Sequence, residues 1–137
     1  MVVLGLDIGE KRIGIAVSDK LEIMGLPLKV INNDEQAEDE LSNLIKHYNI
    51  RKIVVGIPYT LKGEIGFQAK KIIDYADNIL KKFPVEIIYT DERFTSKIPK
   101  KLSKKNNKTG AIDELSACII LNDYLESSKR KKINYKK

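Results

Sequence analysis

A chain of 137 residues with 42% apolar and 32% charged side chains fits one globular domain and leaves little room for a second. A single cysteine, Cys118, excludes an intramolecular disulfide, and no apolar run approaches the length of a membrane-spanning helix. The formal charge of +6 is concentrated: 97–108 and 129–137 carry twelve of the 25 basic residues and no acid, so the remaining body holds 13 basic against 19 acidic residues.

The first residues run straight into a strand-like pattern, so no signal peptide is expected and a reducing cytoplasm is the expected compartment. Val2–Ile8 alternates, with Val2, Leu4, Leu6 and Ile8 on one face and Val3, Gly5 and Asp7 on the other. Gly9-Glu10-Lys11 is a tight connection. Arg12–Asp19 then alternates through Ile13, Ile15 and Val17, which predicts a hairpin, and a strand at Leu26–Ile31 extends it to a meander.

The period then changes. Ala37, Leu41, Leu44, Ile45 and Tyr48 recur at helical spacing, with Asn33 or Asp34 as the expected cap. Lys52–Ile57 is nearly all apolar, as in a strand covered on both faces. Ala69, Ile72, Ile73, Ala76, Leu80 and Phe83 mark a second helix before Pro84, Val85–Thr90 a fifth strand, and Asp113–Ser127 a last helix, apolar nearly all round and so expected to be buried with Cys118 in the core. The order β-β-β-α-β-α-β-α implies an α/β fold, a mixed five-stranded sheet with helices packed on its faces. The domain is expected over 1–128, with 129–137 a basic tail assigned no element and open to disorder.

The acids stand out by position. Asp7 ends the first strand, Asp91 and Glu92 end the fifth, and Asp113 lies at the start of the last helix. Taken singly, a strand-end Asp is a turn former and a helix-start acid a dipole partner. Together on this topology they point to a cation, because converging carboxylates repel one another unless a metal joins them. Oxygen ligands alone suit Mg²⁺ or Mn²⁺, and such ions support phosphodiester hydrolysis. Neighbouring strand residues face opposite ways, so one of Asp91 and Glu92 enters the site, and the pattern leaves open which. Other chemistries lack parts. His47 is the one histidine, on a predicted surface helix, which removes a Ser-His-Asp arrangement and a zinc site of soft ligands, and no GxxxxGK[ST] loop is present.

Leu4-Gly5-Leu6-Asp7-Ile8-Gly9, Lys11-Arg12-Ile13-Gly14-Ile15-Ala16 and Ser18-Asp19 resemble the opening of the YqgF (RuvX) family. The resemblance recurs in Val54-Val55-Gly56-Ile57-Pro58 with Gly63, Gly66 and Gln68-Ala69, in Asp91-Glu92-Arg93-Phe94-Thr95-Ser96, and in Asp113-Glu114-Leu115-Ser116-Ala117, so it spans nearly the whole chain. It implies a ribonuclease H-like fold and a metal-dependent nuclease in 5′-end maturation of pre-16S ribosomal RNA, with a Holliday-junction resolvase as the alternative. It also implies Asp7, Glu92 and Asp113 as the catalytic, metal-holding acids, choosing Glu92 over Asp91, and Lys11, Arg12 and Arg93 near the phosphates.

The lysine-rich 97–108 segment, with Lys104 and Lys105, suits a polyanion, because basic groups near phosphates release condensed counterions. Charge alone fits a solvated lysine-rich loop and tail equally well; with what the resemblance implies, the partner expected is nucleic acid, pre-rRNA in preference to branched DNA, with no membrane and with either a monomer or a homodimer. Two other classes are weighed. An actin-like or sugar-kinase ATPase shares the LDIG-hairpin opening but needs two such domains for its cleft. An RNA-binding ribosome-assembly protein without catalysis would keep its affinity for RNA after loss of Asp7 or Glu92.

Overall fold

The computed structural model describes residues 1–58, 64–91 and 111–135, with 111–114 and 129–135 described by their backbone alone. Five strands, β1 (Val3–Ile8), β2 (Arg12–Ser18), β3 (Gly25–Asn32), β4 (Lys52–Ile57) and β5 (Glu86–Asp91), form one sheet in the order β3-β2-β1-β4-β5. The hairpin pairs β1–β2 and β2–β3 are antiparallel, and β1–β4 and β4–β5 are parallel. Helices α1 (Ala37–Tyr48), α2 (Phe67–Leu80) and α3 (Ala111–Tyr135) complete the expected order.

The alternation of β1 holds and assigns the two faces. Leu4, Leu6 and Ile8 join Ile13, Ile15, Ile53 and Val55 against Ala37, Leu41 and Ile45 of α1 and Ala76 and Leu80 of α2. Val3, Ala16 and Val54 meet Ala117, Ile120, Leu121 and Leu125 of α3 on the other face. The central strand β4 is buried from Ile53 through Ile57, as its unbroken apolar run requires. This is the ribonuclease H-like architecture, helices on both faces of a mixed sheet.

Three local expectations are corrected. Helix α1 starts at Ala37 with Gln36 at the cap position and no side-chain cap. Asp34 instead accepts the Gln36 N–H at 2.9 Å, and Asn33 is drawn away to donate to the Gly9 carbonyl at 2.7 Å. Helix α3 is not buried all round: Leu115 is 41% exposed and Cys118 is half-buried, because only one stripe of the helix meets the sheet. The Cys118 thiol donates to the Gly25 carbonyl at 3.0 Å, and burial pushes its pKa up, so the thiol stays protonated. Finally, α3 does not close at Ser127 but continues through the basic residues to Tyr135. Neither Gly nor Pro interrupts 128–135, and cations near a helix C-terminus complement its dipole. Among the described residues no helix is long and apolar enough to cross a membrane.

Candidate active site

Strands β1, β4 and β5 run parallel and end at one edge of the sheet. Leu6 is level with Val55, and Val55 with Tyr89. One residue further, Asp7 falls level with Gly56 and Thr90, while on its other side Asp7 pairs with Gly14 of β2. The row across the sheet therefore reads Gly14, Asp7, Gly56, Thr90. Asp7 is half-buried on the α3 face, and the residues level with it on the two adjacent strands, Gly14 and Gly56, are both glycines. Thr90 shares that face, and its Oγ1 is buried without a hydrogen-bond partner. An unpaired hydroxyl in such a place costs about 1–3 kcal/mol, which a strand position open to any β-branched residue would avoid.

The same register separates Asp91 from Asp7. Asp91 pairs with Ile57 and follows the parity of Ile87 and Tyr89, which pack toward α2, so it lies on the opposite face of the sheet from Asp7. Glu92 lies outside the described residues, as do Arg93, Lys104 and Lys105.

Helix α3 approaches this edge with its N-terminus. A Cβ on Gly5 would stand 2.8 Å from Leu121 Cβ and 3.1 Å from the Ala117 carbonyl, so the absence of a side chain there lets helix and strand touch. Lys52, level with Val3, has its ammonium 5.6 Å from the centre of the Tyr124 ring. Increasing residue number along α3 thus leads back toward the start of β1, antiparallel to it. Position 113, one turn before Ala117, moves about 6 Å toward the Asp7 end, and Asp7 is about 6.6 Å beyond Gly5 along β1. The helix position of Asp113 and the strand position of Asp7 are brought to the same end by this packing. The Asp113 side chain lies outside what the structure describes, and among the described residues no three His, Cys, Asp or Glu side chains form a metal-holding group.

Lys11 and Arg12 are exposed in and after the β1–β2 turn, next to Asp7 in the hairpin. The Gly9 N–H donates to the Arg12 carbonyl at 2.8 Å, and the Asn33 N–H to the Lys11 carbonyl at 2.9 Å, so the turn carrying both cations is held from two sides. Arg12 has the parity of Gly14 and Ala16 and so faces the same side as Asp7.

Ser18 and Asp19, part of the same sequence motif, do not belong to the site. They lie at the opposite edge, where Ser18 Oγ accepts the Val3 N–H at 2.8 Å. Asp19 accepts the N–H groups of Leu21, Ile23 and Met24. These backbone donors, Met24 first, hold its carboxyl below the usual range. His47 is exposed at the end of α1 and stacks edge-on against Tyr48, as expected of a surface residue.

Two residues of interest escape the sequence pattern. In the sequence Thr90 is only the end of a strand, and the register is what places it level with Asp7 on the same face, two strands away across Gly56. Tyr75 is hidden because its position fits the apolar stripe of α2, yet its hydroxyl is buried and unpartnered.

The profile of the RuvX family, described as Holliday junction resolvase, matches residues 1–127. A protein of Sulfurihydrogenibium sp. (strain YO3AOP1) named "Putative pre-16S rRNA nuclease" is 49% identical over 129 residues, covering 90% of this chain and 89% of that protein. One of the same name from Desulforudis audaxviator (strain MP104C) is 34% identical, covering 94% and 96%. Among solved structures, the Fowlpox virus resolvase in complex with its substrate Holliday junction DNA covers 93% of this chain and 98% of its own, with a TM-score of 0.56 at 16% identity, a likeness of fold.

Proposed function

The chain belongs to the RuvX family of Holliday junction resolvases, and from that premise we propose that it is a divalent-metal-dependent nuclease acting in the cytoplasm on the 5′ end of precursor 16S ribosomal RNA. The observation that carries the reading is the row Gly14, Asp7, Gly56, Thr90: a half-buried carboxylate flanked in register by two glycines, with a buried hydroxyl on the same face that has no hydrogen-bond partner among the described residues.

The donor chemistry fits a hard cation. Asp7, with Glu92 and Asp113, would supply carboxylate oxygens, and the Thr90 hydroxyl would add an oxygen that has no partner among the described residues. The displacement of Asp91 to the other face supports Glu92 as the acid from β5. Mg²⁺ or Mn²⁺ held there would activate a water and stabilise the leaving oxygen of a phosphodiester. The chain's own contribution would be to hold Asp7 on a central strand with α3 packed against it, while Lys11 and Arg12 in the adjoining hairpin, together with Arg93, would neutralise the phosphates flanking the scissile one. Lys104 and Lys105 would add positive charge for the nucleic acid.

The names carried by the relatives favour precursor 16S RNA as the substrate. The family description and the resolvase of similar fold support a four-way DNA junction as the second reading. Cleavage of a 5′-extended 16S precursor, an unrelated single-stranded RNA and a four-way junction, by wild type and Asp7→Asn in Mg²⁺ and Mn²⁺, separates them. RNA cutting lost in Asp7→Asn is the expected result. Symmetric nicking of the junction with the precursor left intact would replace the first reading by the second, and cleavage that survives Asp7→Asn would remove Asp7 from the chemistry.

A further inference from the structure

A cavity of about 280 Å³ opens at the same sheet edge as Asp7 but on the α2 side, reached from Asp7 through the next two residues, Ile8 and Gly9. Its walls are Ile8, Ile72 and the Tyr75 ring, and its polar groups come from Asn33, Gln68, Lys71 and Glu10. The volume lies at the small end of ligand pockets, and apolar walls with a few convergent polar groups suit a flat heterocycle better than a bare anion. Lys71 and Glu10 bring opposite charges to the lining, so the cavity is not an anion trap.

Three further observations point to a planar, hydrogen-bonding occupant. The Tyr75 hydroxyl, in the wall of the cavity, is buried with no partner among the described residues, although a phenylalanine would fill the same space without that cost. Burial, and then the charges of Asp34 and Glu38, push its pKa up, so it remains a donor as well as an acceptor at neutral pH. Asn33 spends its amide N–H₂ on the Gly9 carbonyl, which fixes the turn and leaves the amide oxygen as an acceptor. Phe67, next in sequence to the lining residue Gln68, is 79% exposed with the ammonium of the lining residue Lys71 5.3 Å from its ring centre, a stacking surface with a cation beside it.

We propose that this cavity receives an unstacked nucleobase of single-stranded RNA, the base neighbouring the phosphate held at Asp7, with Phe67 stacking on the next base along the strand. The inference rests on the nuclease reading for its substrate, and it adds a selection step: the site engages RNA whose bases are unpaired near the cut. Bases in single strands can be splayed out, read by hydrogen bonds and sandwiched by aromatic or apolar side chains, whereas a base in a duplex cannot reach such a pocket without being extruded.

The test is binding rather than cleavage. Affinity for a fluorescent short oligoadenylate, and for a ribose-phosphate oligomer of equal length without bases, is measured in EDTA with wild type, Tyr75→Phe and the cavity-filling Gln68→Trp. Base stacking and a buried hydrogen bond each correspond to about 1–3 kcal/mol, so wild type should bind the oligoadenylate about tenfold or more above the abasic oligomer. Both variants should lose most of that preference. Tyr75→Phe should unfold at the same temperature as wild type or higher, since it removes an unsatisfied hydroxyl, which excludes misfolding as the cause of its weaker binding. Equal base preference in wild type and both variants would overturn the pocket while leaving Asp7-dependent cleavage untouched. Base preference lost in the variants, with no cleavage by wild type in Mg²⁺ or Mn²⁺, would support the pocket and overturn the nuclease reading.

Discussion

Substituting Gly5 by alanine tests the packing that brings α3 to the site. The new Cβ would stand 2.8 Å from Leu121 Cβ and 3.1 Å from the Ala117 carbonyl. Neither neighbour can step aside cheaply: one is a branch-proximal carbon and the other is helix backbone, in a face whose Ala117 and Leu121 are fully buried. The helix must lift by several tenths of an ångström, and overpacking of this kind costs about 1–3 kcal/mol. With about 2.1 cal/mol/K of unfolding entropy per residue, a chain of 137 residues has about 290 cal/mol/K, so a loss of 2 kcal/mol lowers Tm by about 7 °C. The consequence for function follows from where the helix goes. Position 113 is one turn from Ala117, so lifting the helix there moves it away from Asp7, and misplacement on the scale of an ångström lowers catalysis as much as a hundredfold. The assay pairs thermal unfolding by circular dichroism with single-turnover cleavage well below the new Tm. An unchanged Tm would refute the helix–strand contact at Gly5, and a lowered Tm with wild-type cleavage would refute the claim that this contact sets the site.

Ser18→Ala removes the acceptor for the buried Val3 N–H, and the expected loss is about 1–3 kcal/mol, or a Tm lower by about 3–10 °C, with cleavage unchanged because Ser18 lies at the opposite sheet edge. A loss of cleavage disproportionate to the loss of stability would contradict that separation. Asp19 has a folded pKa below that of the unfolded chain, so its contribution is present above about pH 3.9 and disappears as the pH falls through the folded value. In Asp19→Asn the fall in Tm below pH 4 should accordingly be shallower than in wild type, and identical acid profiles would dismiss the loop as a contributor. Mg²⁺ at a hundredfold excess over its Kd should stabilise wild type by about 2.7 kcal/mol, raising Tm by about 9 °C, and should leave Asp7→Asn unmoved. An equal rise in both proteins would place the ion elsewhere.

What is legible in the sequence, and what is not, divides along the range of the interactions involved. Strand alternation is local, so the sequence by itself separates Val3, Gly5 and Asp7 from Leu4, Leu6 and Ile8, and the two faces follow. The α1 cap is misleading in sequence because Asn33 and Asp34 both have the chemistry of a cap, and a long-range demand, the Gly9 carbonyl across the hairpin, claims the first. The extent of burial of α3 fails for a related reason: an apolar surface shows what can be buried, not how much sheet is there to cover it. Register between β1, β4 and β5 is invisible in a single chain of letters. It is nonetheless what separates Asp91 from Asp7 and puts Thr90 level with Asp7 on the same face, across Gly56.

The two candidate substrates make opposite demands on this edge. A four-way junction keeps its bases paired up to the branch and needs two sites related by symmetry, so a resolvase must present a second copy of the chain. An RNA end offers unpaired bases to a single site. A cavity of nucleobase size within two residues of Asp7, with Tyr75 in its wall and an exposed Phe67 beside the lining residues Gln68 and Lys71, would serve, on the proposal above, a strand whose bases are free. It also lies on the face opposite the carboxylate, so a strand must turn over the edge of the sheet between Asp7 and Ile8 to engage both. A single strand bends that sharply, but a stacked duplex, with a persistence length of about 50 nm, does not without being kinked or opened. If the cavity receives a base as proposed, its placement, more than its lining, is the argument for RNA over junction DNA at this site.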